Sequence, residues 1–171
     1  FGEYMPMREL ITALTDRAAL MPRDFSPGNT HGSIDVANVH FGILICFEVA
    51  DAGLALTDDD NASAWIVHTN NATYQFTGQS EQQLLAGQMR AAETRRPFII
   101  SSTSGISAII APDGRVTDRI GQTETGVLVT TIESAAGKTG AMLLYPVLRF
   151  ALPLLAVGLI GLTYRRRTVG M

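Results

Sequence analysis

The feature that most constrains this chain is a long apolar run close to its C-terminus. Residues 141–164 read AMLLYPVLRFALPLLAVGLIGLTY and carry one charged side chain, Arg149. About 20 predominantly apolar residues are enough for a helix to cross a bilayer. Pro146 and Pro153 would disrupt a soluble core helix, whereas membrane helices tolerate proline. The run therefore predicts a transmembrane helix, with a buried hairpin or core helix as the alternative interpretation.

Three arginines follow this run directly, at positions 165–167. Basic residues beside a membrane span are concentrated on the cytoplasmic side, so the C-terminus is predicted to be cytoplasmic. Everything before residue 140 then lies outside the cytoplasm. The predicted division is an extracytoplasmic domain over residues 1–136, followed by a linker, the transmembrane helix and a basic cytoplasmic tail over residues 137–171.

Composition excludes several classes of protein. A formal net charge of −3 over 171 residues provides no basic surface for a nucleic-acid partner. The single cysteine, Cys46, cannot form an internal disulfide. The histidines lack the spacing of a zinc site, and we expect neither a metal nor another cofactor. Because the chain starts at Phe1 without an initiator methionine, we expect it to be a piece of a longer protein.

Apolar runs and helix-forming segments alternate before the C-terminal run, which predicts a layered α/β domain with a mixed sheet. The predicted strands are residues 39–45, 64–69, 98–101, 106–111, 115–119 and 127–132. The predicted helices are residues 7–14, 49–57 and 80–95. Arg90 and Glu93 on the last of these are expected to form a surface ion pair, with a role in a functional site as the alternative.

Cys46 stands in the stretch GILICFEV, where a buried strand gives way to a helix. Backbone N–H groups at the start of a helix stabilise a thiolate and can receive the oxyanion of an acyl-transfer intermediate. The same pattern also fits a buried structural cysteine, since free cysteine is among the most buried residue types. Glu48 fits an ordinary acid at a helix start. The residues alone leave both interpretations open.

Five motifs extend the interpretation beyond this one stretch. They are FGEYMP at residues 1–6, GILICFEV at 42–49, TNNATYQFTG at 69–78, QMRAAETRRPF at 88–98 and STSGISAIIAPDGRV at 102–116. Together they resemble the carbon–nitrogen hydrolase (nitrilase) superfamily and, within it, the bacterial apolipoprotein N-acyltransferases. The resemblance covers nearly the whole chain and implies part of an αββα sandwich, followed by that branch's last membrane span.

The resemblance also implies roles for individual residues. Cys46 matches the nucleophile of a Glu–Lys–Cys triad, and the backbone N–H of Phe47 matches part of the oxyanion hole. Glu48 and Glu3 match acids that support the site. Two asparagines, Asn70 and Asn71, match the substrate-binding loop, although the branch often has Asp at the second position.

The resemblance further implies that the other two triad residues lie upstream of Phe1. Lys138, the only lysine, does not fit the position of the triad lysine. The 171 residues alone are therefore expected to be inactive.

The activity implied is transfer of a fatty acyl chain from a membrane phospholipid, through a cysteine thioester, to the N-terminal α-amine of a diacylglyceryl-cysteine apolipoprotein. The implied partners are the phospholipid donor, the apolipoprotein acceptor and the bilayer itself. The implied location is the bacterial inner or plasma membrane, with several spans in the complete protein. A membrane-anchored nitrilase-type amidase and a non-catalytic membrane scaffold are the alternatives, which the upstream sequence would distinguish.

Overall fold

A computed structural model of the chain describes residues 7–14, 32–59, 61–74 and 77–169, with the backbone alone at residues 58 and 163–169. The helices are α1 (Arg8–Leu14), α2 (Gln79–Thr94) and α3 (Gly140–Val169). The strands are β1 (Ser33–Val36), β2 (Val39–Ile45), β3 (Ala64–Thr69), β4 (Phe98–Ser102), β5 (Ser107–Ile110) and β6 (Val116–Ile120). Short 3₁₀ turns cover Cys46–Ala50 and Ala72–Tyr74, and a π-helical turn covers Leu54–Asp58.

The six strands form one sheet in the order of the sequence, from β1 to β6. The pairs β2–β3 and β3–β4 are parallel, and the other three pairs are antiparallel. This confirms the prediction of a mixed sheet. The parallel strands β2 and β3 are nearly continuous apolar runs, as expected for strands at the centre of a sheet.

Helix α2 covers one face of the sheet and builds the core there. Its buried stripe includes Leu84, Gly87 and Ala91, which recur at helical spacing. Under it, the rings of Trp65 and Phe98 stack with their centroids 5.9 Å apart. Gly42, within the GILICFEV stretch, must lack a side chain because a Cβ there would overlap the Trp65 ring. The strand that leads to Cys46 is thereby held tightly against its neighbour.

Two predicted elements differ from the structure. The strand predicted at residues 127–132 does not form: this segment pairs with none of the described strands, and Val127 and Val129 are 85% and 89% exposed. The helix predicted at residues 49–57 is broken instead into the 3₁₀ turn and the π-helical turn. Asp51 causes part of this break, because its carboxylate accepts the backbone N–H of Gly53 at 2.8 Å in competition with helical bonding.

Arg90 and Glu93 do form an ion pair, with 2.9 Å between Nη2 and Oε2, but the prediction that it lies at the surface was wrong. Arg90 is only 6% exposed. It follows Gly87 by three residues and precedes Thr94 by four, so it shares the side of the helix that meets the core. The pair is therefore buried at its arginine end.

Helix α3 matches the predicted apolar helix. Its segment Gly140–Leu162 has a mean hydropathy of 2.0 and, apart from Met142 near its start, no buried residue; by length and composition it could cross a membrane. Its start is attached to the end of α2: the Thr139 hydroxyl donates to the Glu93 carbonyl at 2.6 Å. The guanidinium of Arg96 donates to Met142 Sδ at 3.2 Å and to the Gly137 carbonyl at 3.1 Å. These bonds fix where α3 leaves the domain.

Candidate active site

Cys46 lies in the turn that follows β2. The strand ends at Ile45, as the sequence predicts, and Cys46 opens the 3₁₀ turn. Its backbone φ is 52°, in the left-handed region that a residue with a Cβ occupies at an energetic cost. Non-glycine residues in this conformation cluster at functional sites, where the surrounding structure enforces it.

Glu48 acts on the backbone of this same turn. Its Oε2 accepts a hydrogen bond from the backbone N–H of Ile45 at 2.7 Å. This hydrogen bond therefore spans the turn from Ile45, directly before Cys46, to Glu48, two residues after it. This is the carboxylate half of a capping box, so Glu48 serves at the start of the 3₁₀ turn and holds the backbone that carries Cys46.

Two side chains approach the sulfur of Cys46. The Thr69 hydroxyl oxygen lies 3.5 Å from Sγ, and Gln83 Nε2 lies 3.9 Å from Sγ. Thr69 ends β3, which pairs in parallel with β2 so that Ile45 faces His68. Because the carboxyl ends of neighbouring parallel strands meet at one edge of a sheet, the residues that follow in each strand also meet there.

The two candidate asparagines have different surroundings. Asn71 is 4% exposed; its Oδ1 accepts the Thr69 hydroxyl at 3.0 Å and its Nδ2 donates to Gln83 Oε1 at 2.6 Å. Asn70 is exposed, and its side-chain oxygen accepts the N–H of Ala72 at 3.1 Å. Asn71 thus bonds to the two side chains that lie next to the Cys46 sulfur, whereas Asn70 takes part only in a local turn.

A cavity of about 260 Å³ opens in front of Cys46, between the 3₁₀ turn and α2. Phe47, 57% exposed, lies at its edge. The remaining lining residues are small apolar side chains, amides and one tyrosine, namely Val49, Ala50, Asn71, Tyr74, Gln79, Gln82, Gln83 and Ala86. A thiol that faces a cavity of this kind has room for an electrophile to approach it.

Sequence reasoning missed Thr69 and Gln83. The signal for Thr69 was available, because it ends the strand predicted beside the one that leads to Cys46. Gln83 had no such signal, since it is one of several glutamines near the start of α2. Glu3 lies outside the described residues. Within the ranges that the structure describes, no group of three or more His, Cys, Asp or Glu side chains could hold a metal ion.

A mixed sheet with α2 against one face, and a cysteine in a left-handed turn at the end of a parallel strand, define an α/β protein with a thiol at its candidate site. The family model of the carbon-nitrogen hydrolases matches residues 8–140. The chain therefore belongs to the carbon-nitrogen hydrolase family.

Curated relatives and a solved structure agree with this assignment. An apolipoprotein N-acyltransferase from Mycolicibacterium smegmatis is 38% identical over 123 residues, which covers 70% of this chain and 20% of the relative. The protein of the same name from Azotobacter vinelandii is 33% identical over 175 residues, covering 98% of this chain and 32% of the relative. This chain thus spans about a fifth to a third of the length of these relatives.

Among solved structures, a CN-hydrolase superfamily protein from Xanthomonas campestris aligns with a TM-score of 0.55 and 15% identity. The alignment covers 81% of this chain and 54% of that protein. At this identity the comparison shows the fold, and it confirms the nitrilase-like architecture that the resemblance implied.

Proposed function

We propose that this chain is the cysteine-bearing part of an N-acyltransferase that moves a fatty acyl chain from a membrane phospholipid to the α-amine of a diacylglyceryl-cysteine apolipoprotein. The observation that carries the proposal is the placement of Cys46 in a strained turn, facing a cavity whose wall, α2, is attached at its far end to the apolar helix α3. The similarity to apolipoprotein N-acyltransferases over most of the chain supports the choice of substrates.

The proposed reaction has two steps through a covalent intermediate. In the first, the Cys46 sulfur attacks the ester carbonyl of the phospholipid. The ester C–O bond breaks, and the lysophospholipid leaves as an alcohol after gaining a proton. In the second step, the acceptor amine attacks the thioester carbonyl. The C–S bond breaks, an amide forms, and the nitrogen loses a proton. Cys46 is thereby regenerated.

The chain's own residues have distinct proposed parts in these steps. The backbone N–H of Phe47 follows the nucleophile directly, where the first N–H groups of a helix lack internal acceptors and can bind an oxyanion. Glu48 holds the turn, and Asn71 borders the cavity as a substrate-binding residue, with Asn70 beside it in the same loop. The proposed general base and oxyanion-stabilising lysine come from segments upstream of Phe1, and Glu3 of this chain is proposed to support the site. Lys138 does not line the cavity and has no part in the proposal.

The membrane has a physical reason to be part of this proposal. Both substrates are held by lipid chains, so a catalytic domain attached to the bilayer meets them at high local concentration. We place residues 1–136 in an extracytoplasmic domain and residues 137–171 in the linker, span and cytoplasmic tail. The proposed location is the bacterial inner membrane.

The proposal is tested in the complete protein supplied with phospholipid and no acceptor. Intact-protein mass spectrometry is expected to show an acyl adduct that neutral hydroxylamine releases, as a thioester requires. Cys46→Ala should abolish the adduct and turnover, whereas the matched control Lys138→Ala should keep both. An adduct that persists in Cys46→Ala would overturn covalent catalysis at this residue.

The acceptor step separates acyl transfer from the amidase alternative. On addition of a diacylglyceryl peptide with a free α-amine, the thioester should discharge onto the amine much faster than onto water. Discharge to water at the same rate with and without the peptide would identify a hydrolase instead. Absence of any adduct, with the protein folded and the lipid present, would favour the scaffold interpretation.

A further inference from the structure

Three side chains form a closed hydrogen-bonded group beside the sulfur of Cys46. Asn71 Nδ2 donates to Gln83 Oε1 at 2.6 Å, Gln83 Nε2 donates to Thr69 Oγ1 at 3.1 Å, and the Thr69 hydroxyl lies 3.0 Å from Asn71 Oδ1. Thr69 and Asn71 are 6% and 4% exposed. Each member comes from a different element, namely the end of β3, the loop after it and α2.

The short bond from Asn71 orients the Gln83 amide. Its oxygen accepts this bond at 2.6 Å and lies 3.2 Å from the Thr69 hydroxyl, and its nitrogen lies 3.1 Å from the same hydroxyl and faces Cys46. One of its two N–H groups serves the Thr69 oxygen at 3.1 Å, and the other is directed at Cys46 Sγ, 3.9 Å away. Reversing the amide would set two donors against each other at Asn71.

The Thr69 hydroxyl has one proton and three acceptors within reach: Asn71 Oδ1 at 3.0 Å, Gln83 Oε1 at 3.2 Å and Cys46 Sγ at 3.5 Å. Asn71 Oδ1 is the nearest of the three. A neutral thiol is a weak acceptor, so the proton belongs with Asn71 while the thiol is protonated. A thiolate is a strong acceptor, and rotation about a single bond brings the same proton to it.

We propose that Thr69 and Gln83 are a pair of hydrogen-bond donors for the thiolate of Cys46, and that Asn71 is the positioning residue that holds the Gln83 amide in its donating orientation. Donors that strengthen when the sulfur is charged favour the charged form over the neutral one. The inference goes beyond the proposed function, since it concerns the reactivity of Cys46 toward any electrophile and does not depend on lipid substrates.

The test uses the complete protein in detergent micelles, with any cysteine outside these 171 residues replaced by serine, so that Cys46 is the only thiol. Alkylation by iodoacetamide, followed by intact-protein mass spectrometry, then reports on this sulfur alone. Gln83→Met and Thr69→Val keep the shapes of the side chains and remove the donors. Thr69→Ser keeps the hydroxyl. Gln88→Met is the matched control, because Gln88 lies on the same helix and donates to the Gly114 carbonyl, away from the cavity.

Removing one donor to a charged group is expected to slow alkylation near neutral pH by ~tenfold. The pH–rate profile of Gln83→Met and Thr69→Val should move to higher pH. Thr69→Ser and Gln88→Met should keep the rate and profile of the parent chain within about twofold. All variants must alkylate equally fast once unfolded in guanidinium chloride, which shows that the difference arises from the folded site. A Gln83→Met profile that coincides with that of Gln88→Met would overturn the donor role.

Asn71 is tested by a double-mutant cycle with Gln83. Asn71→Leu removes the group that orients the amide, so alkylation should slow as it does in Gln83→Met. The double variant should be no slower than Gln83→Met alone, because Asn71 acts only through Gln83. Additive losses would contradict the positioning role, as would an unchanged rate in Asn71→Leu. If Asn71→Leu does not fold, Asn71→Ser gives the same comparison with a smaller side chain.

Discussion

The Glu48 carboxylate accepts the backbone N–H of Ile45 at 2.7 Å, across the turn that carries Cys46. The sequence placed this acid two residues after the candidate nucleophile and left its purpose open. The bond joins the last residue of β2 to the third residue of the 3₁₀ turn, and Cys46 lies between them in a left-handed conformation. The Glu48 carboxylate thus stabilises the backbone turn that carries the Cys46 thiol.

The first prediction follows from this bond. In Glu48→Ala the Ile45 N–H loses its acceptor and the turn loosens, so formation of the acyl thioester in the complete protein should fall by about tenfold or more. Glu48→Gln retains an acceptor oxygen at the same distance and should keep most of the rate. Single-turnover mass spectrometry of the adduct measures both. A Gln variant as slow as the Ala variant would show that the charge of Glu48, and not its position, is required.

Much of the sheet was predictable because its strands carry strong local signals. Two of the three parallel strands, β2 and β3, were predicted at their observed bounds, since each is a nearly continuous apolar run. The hairpin of β5 and β6 followed from the Pro112–Gly114 turn. Parallel register then places the residues after β2 and β3 together, so Cys46 and Thr69 could have been paired before the structure was known.

The conformation of residues 127–132 and the place of Gln83 in the site depend on tertiary contacts that sequence periodicity does not indicate. The alternating apolar residues Val127 and Val129 are typical of a strand, yet no described strand pairs with them and both remain exposed. Gln83 belongs to the site because the Asn71 amide and the Cys46 sulfur face it from other elements. Such a role is decided by tertiary packing, and a glutamine on a helix gives no local indication of it.

The second prediction concerns backbone strain at Cys46. A residue with a Cβ at φ 52° costs about 1 kcal/mol or more, and glycine avoids this cost. Cys46→Gly should therefore have a free energy of unfolding ~1 kcal/mol higher than Cys46→Ala. Chemical denaturation followed by circular dichroism compares the two inactive variants directly.

Ala50 provides the control for this comparison. It is exposed in the same 3₁₀ turn, and its φ is not positive. Ala50→Gly should lower the free energy of unfolding by roughly 0.5–1 kcal/mol, because glycine there increases the conformational entropy of the unfolded chain and relieves no strain in the folded one. If glycine lowers stability equally at both positions, Cys46 is not strained.

The third prediction is a pH dependence of stability that arises at His40. Its Nδ1 lies 2.7 Å from Asp35 and its Nε2 lies 2.9 Å from Asp59. The hydrogen bond with Asp35 is the largest effect and raises the pKa of His40 above its ordinary value of 6.5. Desolvation opposes the rise, and the charge of Asp59 adds to it. The imidazolium thus connects β1 and β2 to the segment after the π-helical turn.

The sign follows from linkage. Since the pKa is higher in the folded state than in the unfolded chain, the stabilising contribution is complete below about pH 6.5. It is lost as the pH rises through the raised pKa of the folded protein. Urea denaturation at a series of pH values should show this loss in the parent chain and a flatter profile in His40→Gln. Stability that increases over the same interval in the parent, relative to His40→Gln, would be inconsistent with the assignment.

The last prediction concerns the orientation of α3 in the membrane. Its segment Gly140–Leu162 is exposed and apolar, and the three arginines at 165–167 follow it. In cells that make the complete protein, a reporter that is active only in the cytoplasm should therefore be active when fused after Met171.

The extracytoplasmic side is tested by cysteine labelling. In a Cys46→Ala background, Thr123→Cys introduces a thiol at an exposed position between β6 and α3. A maleimide that cannot cross the membrane should label this thiol in intact spheroplasts, and a cysteine added after Met171 should react only after the membrane is opened. Replacing the three arginines with glutamine should reduce the difference between the two positions, because the charges that set the orientation are gone. Labelling of the C-terminal cysteine in intact spheroplasts, with Thr123→Cys protected, would reverse the orientation and place Cys46 on the cytoplasmic side.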